Sequence, residues 1–160
     1  MNDGIGTDAT FKVPMSLAVS PDGATIYVCD RENEAVRQIE VCSGEVKPFV
    51  GLYGSAGNVL GAGTNARLRK PAGIAVHPSG DWLVVTDEGN SAHVMRKVDI
   101  ATSTMTAVAG KPGTAGSQDG VGTNARFDTP NGVAFEGSGD TVFVADRGNH
   151  KIRRVVVGSG

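Results

Sequence analysis

A chain of 160 residues with a formal net charge of −2 has the size of one domain and no global electrostatic pull toward nucleic acid or an anionic membrane. Hydrophobic residues at 39% suffice for a core, while 23 glycines and 7 prolines against 5% aromatics favour short strands joined by tight turns over long helices. Apolar runs such as Trp82–Val85 fall far short of the roughly 20 residues a membrane-spanning helix needs, and Met1–Thr10 has no basic-then-apolar signal pattern.

In chain order the pattern is one unit repeated three times. It opens with GIGTDATF at 4–11, followed by Pro14, the turn PDGA, the apolar segment TIYVCD ending at Asp30, the turn RENE, Arg37 on a third segment, and a fourth segment reaching Gly51. The second unit has GAGTNARL at 61–68, Pro71, and four strand-length segments at Gly73–Val76, Trp82–Asp87, Val94–Ile100 and Met105–Gly110. The third has GVGTNARF at 120–127, Pro130, TVFVAD ending at Asp146, RGNH and Arg153. The prolines are spaced 57 and then 59 residues apart, and the two extra residues fall between Asp87 and Arg96, where a turn absorbs them.

The second segment of each unit is apolar or β-branched almost throughout, as expected of a strand covered on both faces. Asn33, Asn90 and Asn149 stand in register at the following turn, where asparagine tolerates left-handed backbone. Cys29 and Cys42 are read as free thiols. With a turn near Asn33 and Glu34, Cys29 should lie opposite residue 37 or 38, leaving Cys42 too distant for an unstrained bridge. The expected fold is all-β, built from propeller blades of four antiparallel strands.

The run P-x-G-[IV]-A, then G-x-x-x-x-V-x-D, then Asn with Ile-Arg or Val-Arg, resembles the NHL repeat. It is best formed in PNGVAFEGSGDTVFVADRGNHKIR, Pro130–Arg153, and weaker in the first unit, where Ser16 and Glu32 replace glycines. The loop Asp119–Phe127 is similar to a DGxGTxAxF subgroup. The resemblance implies a propeller that usually closes with six blades, so repeats at approximately 1–57, 58–116 and 117–160 give about two complete blades and an incomplete third in one open unit. Met1 aligns with Asn58 inside an inter-blade loop, and the glycine ending the third unit's fourth strand is due at position 167, beyond Gly160. The expectation is a fragment of a larger propeller, with a homodimer closing six blades as the alternative.

Asp30, Asp87 and Asp146 could line a channel as metal ligands, but each has its arginine, Arg37, Arg96 or Arg153, across a hairpin. A repeated structural ion pair is the simpler reading. His77, His93 and His150 are out of register and form no HxH or HExxH spacing, so no metal or other cofactor site is expected. The GxGT loops lack the GK[ST] ending of a phosphate-binding loop, and no GxSxG elbow occurs. Phe11, Leu68 and Phe127 are expected to tuck each loop against a neighbouring blade. Arg67, Arg69 and Lys70 with Arg126 make a basic cluster at the rim, but without interleaved aromatics nucleic acid is disfavoured. The reading is a non-enzymatic scaffold for a protein or small ligand. The alternative is part of a six-bladed hydrolase or lyase, gluconolactonase-like or peptide-amidating-lyase-like, with metal ligands partly elsewhere. The sequence assigns no compartment.

Overall fold

The computed structural model describes residues 2–157; Met1, with its alignment to Asn58, and residues 158–160 lie outside the described residues. The first sheet comprises β1 (Gly4–Ile5), β2 (Pro14–Val19), β3 (Thr25–Asp30), β4 (Ala35–Glu40) and β5 (Glu45–Val50), in the spatial order β1-β5-β4-β3-β2. The second comprises β6 (Gly61–Ala62), β7 (Pro71–Val76), β8 (Trp82–Asp87), β9 (Val94–Asp99) and β10 (Thr104–Ala109), in the order β6-β10-β9-β8-β7. The third holds β11 (Pro130–Phe135), β12 (Thr141–Asp146) and β13 (Lys151–Val156). All pairings are antiparallel, and the first strands of successive sheets pack against one another, β7 between β2 and β11. Sheets stacked radially through their first strands, without closing, make a partial β-propeller.

The first two blades have five strands, one more than the sequence suggests. Gly4 pairs with Val46 and Gly61 with Met105, so the first and second GxGT loops each lay a two-residue strand along the outer edge of the blade that follows. The second glycine of the motif makes the reversal: Gly6, Gly63 and Gly122 have φ of 57°, 51° and 55° and open single 3₁₀ turns. Such a left-handed start suits a residue without Cβ.

The apolar second strand follows from its position. In β8, Leu83 and Val85 face a core shared with Cys29, Val36, Phe49 and Leu68, while Trp82 and Val84 face another with Met95, Phe127, Val142 and Val144. Alternate side chains thus serve two inter-blade cores. In β12 Val142 and Val144 are the covered members of the apolar set, and Phe143 points to the open side with Ile152 and Val156 of β13. Met15, Leu17 and Val19 of β2 are the corresponding open face of the first blade.

Two details correct the sequence reading. The β3–β4 hairpin closes one residue earlier than expected, so Cys29 lies opposite Val36; Cys29 is buried and Cys42 is exposed in the next turn, both as free thiols. The left-handed residues are Glu34, His93 and His150 (φ 61°, 52° and 55°), and not the asparagines, because the 3₁₀ turns Arg31–Asn33 and Arg147–Asn149 place the reversal one residue later.

Leu68 and Phe127 are buried in the first and second inter-blade cores, as their expected tucking role requires. Phe127→Ala is expected to cost about 3 kcal/mol or more in urea unfolding, and an unchanged midpoint would reject the packing role. Pairing Leu17→Lys with Ile152→Lys should reduce concentration-dependent mass in light scattering, since both residues stand on open apolar faces.

Candidate functional site

The second strand of every blade ends in a fully buried aspartate. Asp30 Oδ1 accepts the Lys12 amide N–H at 2.8 Å, and Asp146 Oδ1 accepts that of Asp128 at 2.7 Å. Asp87 accepts two, from Lys70 at 2.7 Å and Arg69 at 3.0 Å. These amides stand one or two residues before the strands beginning at Pro14, Pro71 and Pro130, and each proline pairs with its aspartate. The carboxylate therefore fastens the incoming loop to the end of the second strand. Proline fits there because it opens a strand with no N–H to place.

In the first and third blades the second carboxylate oxygen gathers the turn and the third strand. Asn33 and Asn149 donate Nδ2–H to Asp30 and Asp146 at 2.8 Å, and Arg37 and Arg153 donate from Nη1 at 3.4 and 2.9 Å. Arg37 then reaches outward to the carbonyls of Thr10 (2.6 Å) and Asn2 (2.8 Å) and the carboxylate of Asp3 (2.7 Å). Arg153 repeats this with the carbonyls of Arg126 and Gln118 and the carboxylate of Asp119. Phe11 and Phe127 lie under these guanidinium groups, with centroids at 4.4 and 5.2 Å.

The second blade differs. Arg96 is opposite Val85 as Arg37 is opposite Val28, yet no hydrogen bond or ion pair joins it to Asp87 among the described residues. The longer turn between Asp87 and Val94 leaves the Asn90 side chain exposed. Burial holds the Asp87 carboxyl above the usual carboxylate range and the Arg96 guanidinium below its own.

The residue after each aspartate is charged, and these three positions join the blades. Glu88, 3% exposed, accepts Arg31 Nε–H at 2.8 Å on Oε1, while its Oε2 accepts Asn131 Nδ2–H at 3.0 Å and lies 3.4 Å from Arg147 Nη2. Arg31 also pairs with Glu32 at 2.5 Å, and Glu32 lies 3.3 Å from Lys70 Nζ. Below this chain, the Thr86 hydroxyl accepts the Gly73 N–H (2.8 Å) and donates to the Asn131 carbonyl (2.6 Å). A Cβ on Gly73 would overlap that carbonyl, so glycine is what lets the inner strands approach. Sequence reasoning passed over Arg31, Glu88, Asn131 and Arg147; the signal available was a charge directly after every repeated aspartate.

The basic residues of the rim each have local partners. Arg67 folds onto its own loop, donating to the Thr64 and Ala66 carbonyls and the Ser55 hydroxyl, and Arg126 caps the Thr123 and Ala125 carbonyls in the same way. Arg69 runs alongside Gly89, and Lys70 joins the Glu32 pair. His77 stacks on Trp82 at 4.5 Å, His93 Nδ1 accepts the Thr129 amide at 3.2 Å, and His150 is exposed in a turn. Among the described residues no three His, Cys, Asp or Glu side chains gather as a metal-binding group, and no helix is long and apolar enough to cross a membrane.

Residues 127–155, spanning the third blade from Phe127 through Val155, match the family model of the NHL repeat. The third blade is thus an NHL repeat. The chain is 30% identical over 161 residues to NHL repeat-containing protein 2 of Bos taurus, covering 95% of the chain and 22% of that protein. The curated relatives it matches are much longer, the chain spanning 15–22% of their lengths. Among solved structures, a Bacteroides thetaiotaomicron protein of unknown function superposes with TM-score 0.81 at 23% identity over 98% of this chain and 37% of its own. An auxiliary nutrient binding protein from the same organism superposes with TM-score 0.76 at 22% identity over 87% and 36%. At these identities the structural likeness concerns the fold.

Glu88→Ala would leave Arg31 without its bond to Glu88 and is expected to cost about 3 kcal/mol in urea unfolding. The Arg147 side chain is 61% exposed and sits at the edge of the chain of charges, so Arg147→Ala is expected to cost less than about 1 kcal/mol.

Proposed function

We propose that this chain is a non-enzymatic binding scaffold. In this reading all three sheets are NHL blades of the long-loop kind, with repeats near 1–57, 58–116 and 117–160, and the end of the blades that carries Arg31, Glu88 and Arg147 receives a protein or small ligand. The observation that carries it is the Arg31–Glu88–Arg147 chain. Glu88 is buried and draws on three blades, which makes the surface rigid, whereas Arg147 engages it only at 3.4 Å and keeps most of its guanidinium open. A preorganised surface with free, fixed donors binds with little ordering cost. Function in propellers resides in such sites and not in the fold itself.

The nutrient-binding description of one structural neighbour supports a binding role without naming a ligand for this chain. Purified protein should be analysed for metal, and assayed for lactone hydrolysis and for peptidyl-hydroxyglycine cleavage, before and after dialysis against EDTA. The expected outcome is substoichiometric metal, no turnover, and an unfolding midpoint insensitive to the chelator. A stoichiometric metal whose removal abolishes turnover would replace the scaffold with a hydrolase or lyase.

A further inference from the structure

Arg96 is 3% exposed, and its Nε and Nη2 have no hydrogen-bond partner among the described residues. A guanidinium withdrawn from water with open donors is costly, and such groups call for an acceptor. Asp87 does not supply it: no hydrogen bond or ion pair joins the two among the described residues, and the Asp87 oxygens accept the amides of Arg69 and Lys70.

The other two blades show what the arginine at this position holds. Arg37 Nη2 binds the Asp3 carboxylate and Arg153 Nη2 binds that of Asp119, each aspartate standing directly before the first glycine of its GxGT loop. The second loop docks in the same register. Gly61 and Ala62 pair with Met105 and Thr104 as Gly4 and Ile5 pair with Val46 and Glu45, and the Gly63 N–H donates to the Ser103 carbonyl as Gly6 does to Gly44. The residue before Gly61, however, is Leu60, which carries no charge and is exposed. Leu68 likewise replaces the phenylalanine ring that covers the guanidinium in the first and third blades.

We propose that the second blade carries a carboxylate-binding site in which Arg96, through Nη2 with Nε beside it, receives the carboxylate of an external ligand at the place filled internally, through Nη2 alone, by Asp3 and Asp119; Arg37 Nε is likewise without a partner, so the open Nη2 is what sets the second blade apart. A bidentate guanidinium–carboxylate pair uses two such donors. The ligand arrives from the side of the corresponding aspartates, which reach the surface with Asp3 36% and Asp119 94% exposed, and it displaces the cover over Nε and Nη2 of Arg96, which are buried in the unliganded chain. The ligand class is a carboxylate, whether a small free acid or an acidic side chain of a peptide. The site stands independently of the surface around Arg31, Glu88 and Arg147, and either can fail without the other.

The test is an NMR titration of the whole chain, following the arginine Nε–H resonances, together with thermal unfolding. Sodium acetate is compared with sodium chloride at equal ionic strength, and a parallel arm uses a blocked Gly-Glu-Gly peptide. Arg96→Lys identifies the resonance by its loss. The expected result is a saturable shift of the Arg96 Nε–H signal and a raised unfolding midpoint with acetate over chloride. Leu60→Asp, which supplies the carboxylate internally, should abolish both responses, and Leu60→Asn should retain them. Equal responses to acetate and peptide mean a free acid suffices, and a stronger peptide response marks an acidic peptide; both support the site. No acetate-specific response in the unmutated chain, or a response that survives in Leu60→Asp, overturns the proposal irrespective of how Arg96→Lys folds.

Discussion

A carboxylate buried at the end of the second strand is what each blade depends on. The segment that follows the GxGT turn has no regular structure, and one amide donated to Asp30 or Asp146, or two to Asp87, fix where it turns into the next inner strand. An ionised group in that setting demands full satisfaction, so one residue imposes others around it. The asparagine three positions on and the arginine seven positions on in the first and third blades answer that demand. The arginine is buried in turn, and it draws in the carbonyls and the aspartate of the long loop. A short ladder of obligations, each created by the burial of the previous group, thus runs from the turn to the outer edge of the blade.

Apolar packing has a different grain. The two inter-blade cores meet at β8, and its alternating side chains belong to one or the other, so the second blade shares both of its apolar faces with its neighbours. Leu68 and Phe127 carry loop residues into those cores, which makes the loop part of the interface between blades. Each blade is therefore a weak unit alone, as in other stacked repeats.

Much of this was legible in the sequence, because proline, glycine and aspartate recur at fixed spacing and the second segments are apolar throughout. The strand positions and the Asp–Arg pairs of the first and third blades follow from that spacing. The outer two-residue strands were not legible, since Gly-Ile and Gly-Ala carry no hydrophobic pattern and owe their pairing to the docking of the loop backbone. The asparagines were correctly placed in the turn but misassigned in role: they donate side-chain hydrogen bonds to the aspartate, and the left-handed residue follows them. Arg31, Glu88 and Arg147 escaped notice because their partners belong to other repeats, and a register comparison shows like positions without showing that they touch. In the second blade, aligned letters concealed a real difference, for Asp87 and Arg96 keep their places while the longer turn and Leu60 remove the bonds between and around them.

The order of signs at the position after each aspartate, positive at Arg31, negative at Glu88 and positive at Arg147, has an arithmetic consequence. A ring that alternates charge closes without a seam only when its members are even in number. Two copies of this three-blade unit would give an even count of blades, yet would set Arg147 of one beside Arg31 of the other at both junctions, because the unit itself begins and ends on the same sign. If the alternation were kept throughout a closed propeller, blades would be added or lost in adjacent pairs, and the neighbour that completes the third blade would offer a carboxylate to Arg147.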